Sequence, residues 1–206
     1  MNKIHFKLKE NQEVFFTSDQ HLLHKNILQL GSRPFLDMKE MRDGLISNWN
    51  SVVKKDDIVF NCGDILWVGN NKYFREFYAE LNGFIYTIPG NHDSESLLAD
   101  MSRQGIINLC SDIVHLWIEY EEKPTIYEAA ISHYPLLTWS GRNRGSVNIY
   151  GHIHSGPKST ASEGGLPFSS LQYDMGVDNN NYFPIGFREI LKKINHPKFT
   201  NLITNA

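Results

Sequence analysis

Phe84-Ile85-Tyr86-Thr87-Ile88-Pro89-Gly90-Asn91-His92-Asp93 is the stretch on which the reading of this chain turns. It opens as a short apolar run of β-branched and aromatic residues, the pattern of a buried strand. Pro89-Gly90 breaks the strand, and the next three residues can all bind a metal or move a proton. A helix is predicted to follow at once, with Asp93 or Ser94 as N-cap and Leu97, Leu98 and Met101 on one face. Strand, tight turn, polar triplet and helix is how open α/β sheets present chemistry, because ligands collect beyond the carboxyl ends of the strands.

Four other stretches repeat this grammar. Val14-Phe15-Phe16-Thr17-Ser18 reads as a strand that delivers Asp19-Gln20-His21, and side chains two apart on an extended backbone point the same way. Ile58-Val59-Phe60 ends in Asn61-Cys62-Gly63-Asp64, where the glycine lets the backbone come close. A predicted hairpin, Ile113 to Tyr120 and Thr125 to Ser132, ends in His133-Tyr134-Pro135. Val147 to Tyr150 delivers Gly151-His152-Ile153-His154. Between the first strands lie an amphipathic helix from Met38 to about Val53, started by Asp37 and Glu40, and another carrying Tyr73, Phe74, Phe77, Tyr78 and Leu81. A short helix is also expected within His24 to Gly31. Strand–helix–strand–helix–strand is the signature of a parallel sheet. Further along, Leu171 to Val177 reads as a strand, Asp178-Asn179-Asn180-Asn181 as a polar turn and Phe187 to Ile194 as a short helix. Ser155 to Ser170, rich in Gly, Ser and Pro, reads as a loop and a candidate lid because it follows His154. No periodicity is evident from Asn195 on. With no internal repeat and no dividing linker, residues 1–206 are expected to form a single domain.

Bulk properties narrow the function. A net charge of −3 and a pI near 6.3 argue against holding nucleic acid by electrostatics, and favour a small phosphorylated or nucleotide partner. Cys62 and Cys110 make neither a disulfide framework nor a paired metal spacing, and are expected to be buried in a reducing compartment. The N-terminus has no apolar h-region and no run approaches the length of a membrane span, so a cytoplasmic protein without membrane contact is expected.

Five of the nine histidines fall directly after predicted strands, together with Asp19, Asp64 and Asn91. His5, His115 and His196 are read as ordinary surface or satisfied core residues, and His24 is left open. Carboxylate, amide and imidazole without thiolate suit Mn²⁺, Fe or Zn²⁺, and the absence of cysteine ligands argues against a structural zinc site. The donor set is too rich for one ion. Two metals about 3.5–4 Å apart, sharing a carboxylate, would use all of it.

The order Asp19-Gln20-His21, Gly63-Asp64, Gly90-Asn91-His92-Asp93, His133 and Gly151-His152-Ile153-His154 resembles the calcineurin-like metallophosphoesterase superfamily. Arg33-Pro34-Phe35, Trp49-Asn50 and His133-Tyr134-Pro135-Leu136 further resemble its small bacterial and phage members. The resemblance implies an α/β fold, a four-layer α-β-β-α sandwich with two mixed β-sheets and the site at the strand C-terminal ends. It implies a metal-dependent phosphoester hydrolase with two divalent ions, manganese foremost, with iron, zinc or nickel as alternatives. Asp19, His21 and His154 would hold the first ion, Asn91, His133 and His152 the second, with Asp64 between them. A hydroxide bridging the metals would attack phosphorus, and His92 would protonate the leaving oxygen or stabilise charge on the phosphoryl group. Asp93 would either orient His92 or cap the helix. The chain departs from the protein-phosphatase branch after Gly63-Asp64, where it has Ile65-Leu66-Trp67-Val68, so no protein substrate is implied. Arg33, Arg142 and Arg144 are candidate phosphate contacts, and Trp67, Trp139 and Tyr134 stack a base or pack. A nuclease of the same fold and a non-catalytic, protein-binding member are the competing readings.

Overall fold

Ile4, Phe6 and Leu8 alternate with Lys3, His5 and Lys7 at the start of the chain, a period of two that places one row inward and one in water. In the computed structural model, which describes residues 2–67, 69–155 and 169–200, this segment is a strand, β1 (Asn2–Leu8), paired in parallel with a later strand. The other strands are β2 (Val14–Thr17), β3 (Ile58–Asn61), β4 (Phe84–Thr87), β5 (Asn108–Leu109), β6 (Ile113–Tyr120), β7 (Lys123–Ser132), β8 (Val147–Tyr150), β9 (Gln172–Asp174) and β10 (Ile185–Gly186). They form two mixed sheets, ordered β1-β6-β7-β8-β9 and β10-β2-β3-β4-β5. The chain is thus an α/β protein with two mixed sheets and helices, as the strand-end motifs imply. Most of the segment expected as a lid, residues 156–168, lies outside the described residues.

Why the sheets stack follows from alternation along their strands. Ile58 and Phe60 of β3 point into a core shared with Val114, Leu116 and Ile118 of β6 and Ile149 of β8, while Val59 points the other way, toward the helices. A strand buried on both faces reads as continuously apolar, which is how Ile58-Val59-Phe60 reads. The helices on that second face are α2 (Met38–Val52), α3 (Asn71–Ala79) and α4 (Glu95–Arg103), packing through Met41, Leu45, Trp49, Phe74, Phe77, Leu98 and Met101. Each starts at a capping side chain: Asp37 accepts from the Lys39 and Glu40 amides, Asn70 from Tyr73 and Ser94 from Leu97. Three short helices complete the set: α1 (Ile27–Leu30), α5 (Phe187–Lys193) and α6 (Pro197–Thr200). Among the described residues no helix is long and apolar enough to cross a membrane.

Register is what positions the site. Thr17, Asn61 and Thr87 lie side by side at the ends of β2, β3 and β4, and Ser132, Tyr150 and Asp174 do so at the ends of β7, β8 and β9. Whatever follows these strands emerges at one level. Two expectations need correction here. The strand read as Leu171–Val177 is only Gln172–Asp174, and the chain then turns through Gly176 into a 3₁₀ turn, Val177–Asn179, bridged to Ser18. His115 is buried on β6 as a core residue, but its Nε2 has no hydrogen-bond partner among the described residues. His196 is satisfied at the Gly145 carbonyl, and His5 is exposed beside Glu119.

Candidate metal centre

The backbone that delivers these side chains is bent in an uncommon way. Asp19 (φ 62°), His21 (50°), Asp64 (53°), His152 (74°) and His154 (46°) all adopt left-handed conformations. Non-glycine residues rarely do so, and each such residue typically costs on the order of 1–3 kcal/mol. The bends these residues make lie just past the ends of β2, β3 and β8. Close approach of the loops is the second requirement. A Cβ on Gly90 would lie 2.2 Å from Asp64 Oδ1, and one on Gly151 2.3 Å from Ser18 Oγ, so the loops after β4 and β8 can close on those after β3 and β2 only with glycine there.

The result is two clusters that meet at one carboxylate. Asp19, His21 and His154 form one group, and Asp64, His133 and His152 another, the candidate ligand atoms of each lying within 4.8 Å of one another. Asp64 Oδ2 stands 3.5 Å from His21 Nε2 and 3.6 Å from His133 Nε2, between the two. Asn91 joins the second group through Oδ1, 2.9 Å from His133 Nε2.

Hydrogen bonding at the far side of two rings decides what faces inward. His133 Nδ1 lies 2.7 Å from the Cys62 carbonyl, which can only accept, so Nδ1 carries a proton and Nε2 is the atom presented to Asn91 Oδ1 and Asp64 Oδ2. His154 Nδ1 is likewise tied to Asp178 Oδ2 at 2.7 Å, turning Nε2 toward His21 Nε2 at 3.1 Å. Imidazole nitrogens and carboxylate oxygens therefore converge on one small volume, a donor set that a cation would satisfy. Burial pushes the Asp19 carboxyl up to about 6, against the pull of His154 and His133. Burial, helped by the charges of His154 and Arg33, lowers His21 to about 2 and keeps that ring a neutral donor.

A profile of calcineurin-like phosphoesterases matches residues 13–183, the whole span that carries these strand ends. The chain belongs to the calcineurin-like phosphoesterase family. The divalent ions that this family implies find donor groups suited to them in these two clusters. Over 83 residues the chain is 43% identical to an uncharacterized protein of Methanocaldococcus jannaschii, the match covering 40% of this chain and 47% of that protein. The chain thus spans about half the length of that relative (47%). It is 26% identical over 163 residues to the Gene 66 protein of Mycobacterium phage L5, covering 69% of this chain and 77% of that one. A solved protein of unknown function from Aquifex aeolicus shares the fold, with a TM-score of 0.63 at 24% identity over 89% of this chain and all of that one.

Around the phosphoesterase centre several sequence expectations are revised. Arg33 is no phosphate contact: its side chain is fully buried, gripping Asp178 with Nε and Nη2 (2.9 and 2.8 Å) and the Gln20 and Asp19 carbonyls (both 2.7 Å). Arg142 and Arg144 are also not brought to the centre. They sit in an exposed 3₁₀ turn, Arg142 against the Trp139 ring and Arg144 beside Glu128, and line neither cavity at the site. Trp139 packs, its indole N–H donating to the Ser146 carbonyl. Asp93 neither orients His92 nor caps α4. Its carboxylate accepts from the amides of Asp64, Ile65 and Gly90, tying the β3 and β4 loops together.

Asp178 is the residue the sequence reading missed. Burial alone would raise its carboxyl, but the bonds to His154 and Arg33 outweigh that and hold it below its ordinary value. His154 is raised for the same reason, Asp178 and Asp19 overcoming the burial that would lower it. As the first acid after a strand end, Asp178 follows the same grammar as Asp19 and Asp64, and that signal was available. Removing its charge loosens the ring it orients. Asp178→Asn is expected to lower metal affinity about 10–100-fold, as such outer partners do, read by competition against a chromogenic chelator. Unchanged affinity would show that His154 needs no such support.

Proposed function

We propose that the chain hydrolyses small-molecule phosphodiesters at a pair of divalent cations, manganese by preference for this oxygen and imidazole donor set. The observation carrying this reading is the convergence of two donor clusters on Asp64. Asp19, His21 and His154 would hold one cation, Asn91, His133 and His152 the other, and Asp64 would touch both. Bound there, the cations supply Lewis acidity that makes water a competent nucleophile near neutral pH and offsets phosphoryl charge. His92 is exposed and lies outside both clusters, with its amide donating to Asp64 Oδ1 (2.9 Å). From there it donates a proton to the leaving oxygen.

The preference for a diester rests on the shape around the centre. A cavity of about 420 Å³ reaches His21, His154 and His92 and is walled by Ile27, Leu30 and Trp67. A second, of about 380 Å³, reaches Asn91 and His133 and is bounded by Asp112, Glu95 and Tyr134. A diester has two substituents, one for each cavity, and the carboxylates beside the second favour a neutral or cationic one. The two buried, unpaired cysteines fit a reducing, cytoplasmic setting.

The test compares p-nitrophenyl phosphate with bis-p-nitrophenyl phosphate, with Mn²⁺ and after chelation. Turnover that survives exhaustive chelation would sink the metal reading, and a preference for the monoester would sink the diester reading alone. A pH dependence follows as well. Asp19 must lose its proton to bind a cation and is held near 6, so metal uptake is expected to weaken as pH falls through about 6, and His154, raised above its ordinary value, adds proton release on binding above that range. Calorimetric titration in buffers of different ionisation enthalpy measures both.

A further inference from the structure

Among the described residues no hydrogen bond fixes the His92 ring: its amide is bonded to Asp64, and Asp93, the obvious neighbour to orient it, is spent on three backbone amides. The ring is held by other rings. Trp67 lies 4.4 Å from it (centroids, 36° between planes), and His21 meets it edge-on at 5.5 Å. Trp67 is itself stacked on His24 at 3.8 Å and 7°. His24 and His92 make no ring contact with each other, so Trp67 stands between them in a stack of three.

From this we infer that Trp67, backed by His24, is a positioning residue for His92: it confines the imidazole to the rotamer from which it reaches the leaving oxygen. The inference rests on the phosphoesterase reading above and adds to it a role for the segment where this chain departs from the protein-phosphatase pattern, Ile65-Leu66-Trp67. The physics is ordinary. An indole lying 4.4 Å from the imidazole, tilted by 36°, restricts its rotation about χ2, and an aromatic pair contributes about 0.5–1.5 kcal/mol beyond the area it buries. Anchoring is further supplied by Leu66, buried and bridged to Leu22, and by the Trp67 amide, which donates to the Leu22 carbonyl at 2.9 Å. The ring itself remains 40% exposed, so its loss need not unfold the chain.

A positioning role has a signature that a structural one lacks. Protonation matters most for poor leaving groups and little for p-nitrophenolate. For the manganese-loaded enzyme, Trp67→Ala is expected to lower kcat for phenyl and alkyl phosphodiesters about tenfold or more, the scale of a misplaced catalytic group. Loss of kcat on the p-nitrophenyl ester should be far smaller, with metal content unchanged and any rise in KM from the opened cavity wall common to all leaving groups. Trp67→Phe should restore most of the loss, and in a His92→Ala background Trp67→Ala should cost nothing further. A loss uniform across leaving groups, or additive with His92→Ala, overturns the inference. A second readout needs no turnover: in the zinc-loaded protein the His92 Cε1–H resonance should carry a ring-current shift that disappears in Trp67→Ala. Absence of that shift in the wild type overturns the stack, whereas a shifted resonance in a protein that cleaves no ester would fault the phosphoesterase reading instead.

Discussion

Asp64→Asn is expected to reduce phosphoesterase activity to the background of the chelated wild type while leaving the fold intact. The substitution is nearly isosteric, and the amide oxygen can still accept the His92 amide that Asp64 Oδ1 accepts at 2.9 Å. What changes is the other atom. Oδ2 lies 3.5 Å from His21 Nε2 and 3.6 Å from His133 Nε2, and it is the only anionic oxygen placed between the two clusters among the described residues. An amide there brings no charge and can present N–H groups to imidazole lone pairs, so the two halves lose their common anion. Metal analysis after dialysis, run beside hydrolysis of bis-p-nitrophenyl phosphate, checks this. His92→Ala is the contrast. It should retain the metal and lose about 10²–10⁴-fold in rate on phenyl and alkyl phosphodiesters, whose poor leaving groups need a positioned acid, and far less on the p-nitrophenyl ester. A variant Asp64→Asn with wild-type metal content and measurable turnover would show that Asp64 does not join the two sites.

Arg33→Met should be the most destabilising single change near the centre, by about 3–5 kcal/mol, the usual cost of stripping one partner from a buried ion pair. The guanidinium satisfies both oxygens of Asp178 and the carbonyls of Asp19 and Gln20 at once. Methionine fills much of the volume and replaces none of these bonds. For a chain of this size the loss corresponds to a melting temperature lower by roughly 10 °C. The melt belongs in chelator, so that lost metal binding is not counted as lost folding. A shift of only a degree or two would mean that water takes over the guanidinium's role. The pH dependence has a definite sign. Asp178 is held below its ordinary value of 3.8, so the stability it lends is present above that pH and is lost as pH falls through the lower, folded value. Arg33→Met should flatten that acid limb.

The parts of the centre legible in the sequence are those where structure and chemistry fall on adjacent residues. A strand's period and the Asp, Asn or His that follows it fall in one window, so Asp19, His21, Asp64, Asn91, His133, His152 and His154 are all legible there, and the structure brings them together. Arg33 could not be assigned that way, because a guanidinium fork suits phosphate and carboxylate equally, and its carboxylate, Asp178, lies 145 residues along the chain. Asp93 failed for a related reason. Its partners are backbone amides of another loop, and backbone donors leave no trace in a sequence. Trp67 was seen as a ring able to stack, but on which ring depends on how the β3 and β4 loops fold against each other. β1 is a plainer lapse, since the alternation of Ile4, Phe6 and Leu8 was there to be read.

The left-handed turns at Asp19, His21, Asp64, His152 and His154 have a bearing on the history of the chain. Glycine or asparagine would occupy those conformations with less strain. A lineage selected for folding alone would drift toward such residues, and its inactive descendants would gain robustness as they lost chemistry. Aspartate and histidine at these five turns hold strain that folding alone does not require, as is expected where the side chains and not the backbone serve the function.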